Sequence, residues 1–449
     1  MNLREDPIPL LIRQLAVPAG VGMLFSTLLN VVDTFYAGML SPTALAALSL
    51  AGPLFFLVLT LGIGIGQATN ALVGNRLGAD DEPGAQVLAM QAIAFAMLVS
   101  FVSATLAYIY VPEAFVAMGG EPPYLAEGIE YMRVVLLGTA FFALSFVVNG
   151  VLNTRGDTKS YRNAQIVGFF ANILLDPLFM FGFGLGVTGV AVATVLIQAG
   201  VFAYLLTRML KLDFMQGVNV AMLKPKLASF RELLSQSLPT SASMGLVAVG
   251  SIIIVAYVTR FGESAMAAYG VALRLEQIIL LPVIGINIAA LSLTGVNYGA
   301  GHWERVREIY KTGVLYALSL MVVGGVMVLL FGSFFMSLFT DDPDVQSIGV
   351  TYLRFEAFIL PAYAVTFLSA AVLQGLKKPL IALYFNVARQ VVGQLLLFWL
   401  AIDLLGLDIT GIWWSVLGLN WVLAVLIYAV VRQNLNRDQL KTASDIANG

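Results

Sequence analysis

Two aspartates lie inside long apolar stretches of the sequence, where an ionisable side chain is costly to place. Asp33 falls in the first such stretch and Asp176 in the fifth. An Asp at the middle of a membrane helix costs roughly 2.5–3.5 kcal/mol on insertion scales, and residues of this kind are usually functional. Because burial penalises the charged form, a carboxyl group held away from cations can load and release protons. The two aspartates therefore predict an ion-coupling site.

Polar neighbours of both aspartates recur at helical spacing. Asn172 precedes Asp176 by four residues, so the two side chains share a helix face. Asn30 and Thr34 point roughly the same way as Asp33. Such a group of oxygen ligands could bind Na⁺ instead of a proton, and the pattern leaves both ions open. A structural hydrogen-bonded pair of aspartates is the alternative interpretation.

Prolines accompany both acids. Pro18 lies in the same apolar stretch as Asp33, and Pro177 directly follows Asp176. A proline inside a helix removes a backbone hydrogen bond and favours a kink. We therefore predict bendable points beside the acids.

Further polar residues of the first half could line a cavity around this site. They are Asn30, Tyr36, Gln67, Asn70, Tyr131, Asn149, Asn153 and Thr194. Each of them is equally well explained as an interhelical hydrogen bond.

Five charged residues fall inside apolar stretches of the second half: Arg274, Glu276, Arg354, Glu356 and Arg389. They could form mutual ion pairs or contacts between two halves of the molecule. We interpret them as structural pairs rather than as a second site.

Composition identifies the elements that must position these residues. The chain is 59% hydrophobic and 11% charged, with a mean hydropathy of +0.89, whereas a soluble domain carries about 25% charged residues. It has no cysteine and one histidine, His302, which excludes disulfides, haem and Cys-based metal sites. The net charge of −2 argues against nucleic acid as a partner. No cofactor is expected apart from an ion gradient.

Apolar runs of about 20 residues, enough to cross a bilayer as a helix, recur along the chain. The predicted spans are 10–39, 45–73, 86–111, 128–151, 160–181, 187–210, 236–259, 266–293, 311–339, 348–374, 380–402 and 411–432. Basic residues concentrate in alternate connections, and the opposite connections carry acids such as Asp341, Asp342 and Asp344. By the positive-inside rule, both termini are cytoplasmic, and an even number of spans follows.

The chain repeats itself at an offset of 221 residues. Pro18 falls on Pro239 and Tyr131 on Tyr352. Chance is a poor explanation for Pro, Gly, Tyr and Arg sharing one register. Each half then has six helices, and the halves insert in the same direction, related by a pseudo-twofold axis along the membrane normal. The expected parts are an N-terminal lobe (1–210), a cytoplasmic linker (211–235), a C-terminal lobe (236–433) and a cytoplasmic tail (434–449).

The repeat provides an internal control on the acids. Position 33 corresponds to Ile254, and position 176 to Leu397 or Phe398. The second half keeps the scaffold and lacks both aspartates, so we place the ion site in the first lobe only.

Four segments of the first half form a recognisable set. They are Val-Val-Asp33-Thr-Phe-Tyr-Ala-Gly, Gly-Gln-Ala-Thr-Asn70, Asn149-Gly-Val-Leu-Asn153-Thr-Arg-Gly-Asp157-Thr-Lys and Asn172-Ile-Leu-Leu-Asp176-Pro. Together they resemble the multidrug and toxic compound extrusion (MATE) transporters, and the resemblance runs essentially end to end. The resemblance implies a V-shaped pair of six-helix lobes with a central cleft. It also implies export of amphipathic, often cationic drugs in exchange for H⁺ or Na⁺.

The resemblance assigns roles to individual residues. It implies that Asp33 is the proton or cation site, with Asn172, Asp176 and Thr194 in the same network. It places Tyr131 and Asn149 nearby. It further implies that protonation accompanies bending of the first helix around Pro18.

The branch of the family bears on the coupling ion. NorM-like members carry additional acids in the seventh and tenth helices, and the corresponding stretches LPTSASMGLVAVGS and LPAYAVTFLSAAV contain none. The chain is therefore more similar to the DinF-like branch, and proton coupling through Asp33 is the preferred mechanism. Na⁺ coupling at Asp33, Asn172, Asp176 and Thr194 stays open.

Rival functions are a lipid-linked-oligosaccharide flippase of the same superfamily, a membrane-embedded hydrolase or transferase, and a passive channel. The basic residues are too sparse for the flippase, and no nucleophile–base pair or metal-ligand cluster is visible for an enzyme. We expect a multi-pass protein of the cell (inner) membrane that works as a monomer on drug-like substrates.

Overall fold

The computed structural model describes residues 1–448, and it describes the side chains of all of these except residues 123 and 438–448. The regular secondary structure of the described residues is helical. The helices are α1 (Ile8–Leu40), α2 (Pro42–Gly78), α3 (Glu82–Ala117), α4 (Pro122–Leu137), α5 (Thr139–Asn153), α6 (Lys159–Pro177), α7 (Val187–Met209), α8 (Leu227–Val258), α9 (Glu263–Gly299), α10 (Trp303–Ser337), α11 (Pro343–Gly375), α12 (Pro379–Val387), α13 (Gly393–Phe398) and α14 (Thr410–Asn448). The end of the expected tail, Gly449, lies outside the described residues.

The described helices include eleven that are long and apolar enough to cross a membrane, or twelve if one bent pair is a single span. This confirms the prediction of an all-α chain with about twelve membrane helices. The bent pair is α4 and α5, which meet at an angle of 44° where a single span over 128–151 was predicted. Gly138 lies at the break, and a side chain there would overlap Val195 of α7. The missing side chain lets α7 pack directly against the bend.

The chain packs into two compact units that exchange helix ends. Unit 1 contains Met1–Arg4 and Val21–Ser241, and unit 2 contains Glu5–Gly20 and the chain from Ala242 onward. Two helices, α1 and α8, therefore each begin in one unit and continue in the other. Pro18 in α1 and Pro239 in α8 each lie two residues before the crossing point.

Glycines accommodate the exchanged helix ends at equivalent places. In unit 1, a Cβ atom on Gly64 of α2 would lie 2.9 Å from the backbone nitrogen of Ser241 in α8. In unit 2, a Cβ atom on Gly285 of α9 would lie 2.9 Å from the backbone nitrogen of Gly20 in α1. Both pairs are related by the 221-residue offset, so the same close backbone approach is built twice.

The segment between α7 and α8 is held on unit 1 by amide side chains of α3. Gln91 Nε2 donates to the carbonyl oxygen of Lys224 (2.8 Å), and its Oε1 accepts from the backbone N–H of Lys226 (2.7 Å). Gln86 Nε2 donates to the carbonyl oxygen of Gln216 (3.0 Å). These bonds satisfy backbone groups in a stretch that has little regular structure of its own.

Candidate functional site

Asp33 and Asp176, here called the aspartate pair, are joined in unit 1 by one amide group. Asn172 Nδ2 donates to Asp33 Oδ1 and to Asp176 Oδ1, both at 2.9 Å. Thr194 Oγ1 donates to Asp33 Oδ2 at 3.3 Å. The structure thus brings together all four residues that were expected to take part in ion coupling.

The aspartate pair is buried without a compensating cation. Asp33 is 6% exposed, and both Asn172 and Asp176 are 0% exposed. None of the ion pairs in the described part of the chain includes either aspartate. Two buried carboxylates so close together cannot both stay charged at low cost, because burial and mutual repulsion both favour a bound proton or cation.

Two oxygens of the site receive no hydrogen bond from the described residues, although both are buried. They are Asn172 Oδ1 and Asp176 Oδ2. Buried polar atoms are nearly always paired, so each exception needs an explanation. The two carboxyl groups are neighbours, because both accept a hydrogen bond from the same nitrogen, Asn172 Nδ2.

Three helices position this site. Asp33 is on α1, Asn172 and Asp176 are on α6, and Thr194 is on α7. Tyr36 Oη donates to the carbonyl oxygen of Ile173 at 3.1 Å and so ties α1 to α6.

A glycine allows these two helices to approach closely. A Cβ atom on Gly22 of α1 would lie 3.2 Å from the Cα of Arg162 on α6. The i, i+4 spacing of Asn172 and Asp176 then aims both side chains of α6 at Asp33.

A π-helical turn follows the aspartate on α6. It covers Leu178–Gly182, directly after Pro177. A second π-helical turn, Trp399–Leu404, begins at the equivalent repeat position in unit 2, where Phe398 stands in place of the proline. The turn therefore belongs to the repeated scaffold, and proline is not required for it. The other proline, Pro18, is buried within α1, which continues through it as one helix.

The remaining predicted residues lie in three places. Tyr131 of α4 is buried within electrostatic range of the aspartate pair. Asn30 is exposed on α1 and donates to the carbonyl oxygen of Ser26 at 3.2 Å. The others lie along the packed helices α2 and α5, and they are Gln67, Asn70, Asn149 and Asn153. The Oδ1 atoms of Asn149 and Asn153 are buried and accept no hydrogen bond from the described residues.

Unit 2 contains a second pair of buried acids, and neither of them forms an ion pair with an arginine in the described residues. Glu276 is 8% exposed and Glu356 is 0% exposed, and we call them the glutamate pair. Tyr352 Oη lies 3.0 Å from Glu276 Oε2 and 3.4 Å from Glu356 Oε2. Arg274 and Arg354 are exposed and enter no ion pair in the described residues.

One signal in the sequence could have revealed this glutamate pair. Tyr352 is the repeat equivalent of Tyr131, and Glu356 follows it by four residues on the same helix face. The second half thus lacks both aspartates but contains buried acids of its own, one of them on α11, the tenth of the predicted spans.

The comparisons with known proteins agree with the two-unit architecture. A family model described as MatE matches residues 18–178 and 239–399, so the second match begins and ends 221 residues after the first. The chain is 25% identical to the FAD transporter of Shewanella oneidensis over 422 residues, which covers 92% of this chain and 91% of the relative. It is 23% identical to the multidrug export protein MepA of Staphylococcus aureus over 438 residues, 97% of this chain and 96% of MepA.

A solved structure is also similar along nearly the whole chain. It is the outward-facing conformation of a multidrug resistance MATE family transporter of the MOP superfamily. The TM-score is 0.91 and the sequence identity 25%, and the superposition covers 97% of both chains.

Proposed function

Because the chain belongs to the MATE family, whose members are transporters and not enzymes, we propose that it exports amphipathic or cationic organic compounds in exchange for protons. The observation that carries this proposal is the aspartate pair, two buried carboxyl groups bridged by the neutral amide of Asn172. A buried acid pair without a paired base exchanges ions more readily than one locked in a salt bridge.

The proton is held between Asp33 and Asp176. Protonation from outside lowers the charge of the pair from −2 to −1 and removes the repulsion between two carboxylates, so α1 and α6 can pack more closely. The exported compound then loses its site in unit 1 and leaves. Release of the proton to the cytoplasm restores the charge and with it the affinity for the next substrate molecule, which gives alternating access.

Sodium is the second candidate for the coupling ion. The two unpartnered oxygens, Asn172 Oδ1 and Asp176 Oδ2, favour it because they are free to act as ligands beside Asp33 and Thr194. Among the described residues no group of three or more His, Cys, Asp or Glu side chains is placed to hold a metal ion. A strongly bound divalent metal is therefore less suited to this site than a proton or Na⁺.

Uphill transport by the purified protein in proteoliposomes tests the proposal. Efflux of fluorescent organic cations is measured under a pH gradient alone and under a Na⁺ gradient alone, with FAD as an additional substrate because one relative is named for it. We expect the pH gradient to drive transport in the wild type. Asp33→Asn and Asp176→Asn should abolish it.

Asp213→Asn is the matched control, since it makes the same chemical change at an exposed position. It should transport at the wild-type rate. Full pH-driven transport by Asp33→Asn would overturn the proposed coupling. Transport driven only by the Na⁺ gradient, and lost in Asp33→Asn, would keep the site and replace the ion.

A further inference from the structure

A polar cleft opens on unit 2 where α10 ends and α11 begins, and its volume is about 330 Å³. Its polar lining residues are Ser333, Gln346, Ser347, Thr351 and Arg354, and its apolar ones are Pro343 and Val350. We propose that this cleft binds the headgroup of a zwitterionic phospholipid, with the lipid phosphate on Arg354. The proposal concerns the lipid around the protein, so it stands whichever ion drives transport.

The cleft offers hydrogen-bond donors, and no carboxylate of the described residues lines it. Arg354 is exposed and forms no ion pair in the described residues. Gln346 Nε2 donates to one backbone carbonyl oxygen at 2.8 Å and retains a second hydrogen. The Thr351 hydroxyl donates within α11, to the carbonyl oxygen of Ser347 at 2.9 Å. A cation among hydroxyl and amide groups favours an anionic ligand, and a planar guanidinium fits a phosphate through two parallel hydrogen bonds.

The repeat shows how the protein itself covers an arginine at this position. Arg133 is the unit 1 equivalent of Arg354, and its guanidinium lies over the ring of Tyr108, 5.0 Å from the centroid. In unit 2, Leu329 stands where Tyr108 stands in unit 1. Arg354 therefore lacks the aromatic partner of its equivalent and is left open to a ligand from outside.

The polar lining of the cleft belongs to unit 2 alone. Ser333, Gln346, Ser347 and Thr351 correspond to Pro112, Leu125, Ala126 and Glu130 of unit 1. Unit 1 thus has an acid one helical turn before its arginine, where unit 2 has a neutral hydroxyl group. Two hydroxyl groups and an amide replace side chains that cannot donate. Each of these differences makes the unit 2 position better suited to bind a phosphate.

The position of Arg354 along its helix places it near the lipid headgroups. With 33 residues, α11 is about 50 Å long and extends about 10 Å beyond each side of the hydrocarbon layer when it is centred in a bilayer. Arg354 lies eleven positions after Pro343, or about 17 Å along the helix, and so just inside this boundary. A long arginine side chain there extends its charge towards the headgroups.

Apolar side chains beside the cleft can contact the acyl chains of the same lipid. Leu330 and Phe334 of α10 are 71% and 59% exposed, and Phe358 of α11 is 58% exposed. Phe358 follows Arg354 by four residues, so it lies on the same helix face and farther into the membrane. A lipid whose phosphate is on Arg354 can therefore lay its chains over this surface. A free phosphate ion would use none of it.

Three acids beyond the cleft select the kind of headgroup. Asp341, Asp342 and Asp344 are exposed around the connection between α10 and α11. Asp344 lies ten positions, or about 15 Å along α11, from Arg354, too far to neutralise it. A zwitterionic headgroup has its phosphate deeper in the membrane than its ammonium group, which is the order that complements Arg354 and these acids. The acids would repel an anionic headgroup.

Native mass spectrometry of the full-length protein, delipidated in detergent, tests the inference. Phosphatidylethanolamine and phosphatidylglycerol are titrated separately, and the dissociation constant of the first bound lipid is measured. We expect the wild type to prefer phosphatidylethanolamine at least about threefold. Arg354→Gln should weaken its binding at least about tenfold, because the charged donor is lost. Asp341→Asn/Asp344→Asn should abolish the preference over phosphatidylglycerol.

Arg133→Gln is the matched control, because it makes the same change at the equivalent position, where Tyr108 already covers the side chain. It should bind phosphatidylethanolamine as the wild type does. If Arg354→Gln does not fold, Ser333→Ala/Ser347→Ala keeps the charge, removes two donors and should weaken binding about threefold.

Three results would overturn the lipid site. The first is the same affinity for phosphatidylethanolamine in the wild type and the cleft variants. The second is equal or tighter binding of phosphatidylglycerol by the wild type. The third is displacement of the lipid by sodium phosphate but not by sodium chloride of equal ionic strength, which would identify a site for free phosphate. None of these results depends on whether the aspartate pair drives transport.

Discussion

Unit 1 and unit 2 place a buried tyrosine at the same repeat position and surround it with acids from different helices. In unit 1, the acids beside Tyr131 come from α1 and α6, and a neutral amide bridges them. In unit 2, the acids come from α9 and α11, and Tyr352 itself bridges them. A duplicated scaffold has thus been given two chemically different pairs of carboxyl groups.

The two pairs of acids differ in the positive charge that lies near them. The aspartate pair has no cation in the described residues, so a bound proton or ion must supply the positive charge each time. The glutamate pair has Arg389 within electrostatic range of Glu276. Unit 1 therefore buries two carboxyl groups without a cation, whereas unit 2 places a guanidinium near its buried pair.

Removing the bridging amide of unit 1 should give the largest effect, a loss of transport. Asn172→Leu removes both hydrogen bonds to the aspartate pair, and hydrogen bonds to charged groups contribute about 1.5–3 kcal/mol each. We expect pH-driven efflux in proteoliposomes to fall at least about tenfold. Asn163→Leu, an exposed position on the same helix, should have little effect. Equal initial rates in the two variants would show that the bridge is not needed for coupling.

Introducing an aspartate at the equivalent position of unit 2 should strongly lower the stability of the protein. Leu397→Asp introduces an acid at the repeat position of Asp176, but Gly393 stands where Asn172 would be and offers no amide. We expect a loss of stability of roughly 2.5–3.5 kcal/mol, measured as a lower midpoint of thermal unfolding. A variant as stable as the wild type would mean that unit 2 tolerates acids wherever they are placed.

Removing the hydroxyl group from each of the two equivalent tyrosines should destabilise the protein by different amounts. Tyr352→Phe leaves the glutamate pair without its bridge and should lower the free energy of unfolding by about 1–3 kcal/mol. Tyr131→Phe should cost less, because the described residues give Tyr131 no side-chain hydrogen bond to the aspartates. Unfolding in the same detergent measures both, and the opposite order would contradict the assigned bridge.

Removing a surface ion pair from either unit should change the stability of the protein least. Asp403 of unit 2 accepts from Arg260 (2.7 Å) and from Tyr257 (3.2 Å), so Asp403→Asn should cost at most about 1 kcal/mol. Asp80 of unit 1 pairs with Arg4 (2.9 Å) and with no other basic side chain among the described residues, and Asp80→Asn should cost less.

The Asp80 pair has a defined pH dependence. The Arg4 guanidinium lowers the pKa of the Asp80 carboxyl below its usual value of 3.8. The contribution of this pair is therefore present above that usual value and lost as the pH falls through the lowered pKa. Thermal unfolding at low and high salt checks both pairs, since salt should weaken both effects. A larger loss from Asp80→Asn than from Asp403→Asn would reverse the ranking.

Much of the fold could be predicted because its signals are local. A run of about 20 apolar residues specifies a membrane helix without reference to the rest of the chain. The register of the repeat follows from residues such as Pro18 and Pro239, and the matched family segments begin at these two positions. The bend at Gly138 was not predictable, because it depends on Val195 of another helix.

The candidate site was predictable only in part. The four-residue spacing of Asn172 and Asp176 placed them on one face of a helix, since helical period is a property of the sequence. Their contact with Asp33, 139 positions before Asn172, depends on how α1 packs against α6. Thr194 stood out from the sequence only as one of several polar residues that could line a cavity, and its place in the ion network came from the resemblance to a family.

Hydropathy, helical period and repeat register are all read along the chain, so the amino-acid sequence alone predicts a duplicated bundle of apolar helices with a few costly acids. Which acids lie next to each other depends on the tertiary structure. Glu276 and Glu356 are neighbours through Tyr352 because α9 and α11 pack in one rotation about their axes, and that rotation turns both carboxyl groups away from Arg274 and Arg354. Local pattern fixes a helix face only approximately, whereas a hydrogen bond requires a fit within a few tenths of an ångström.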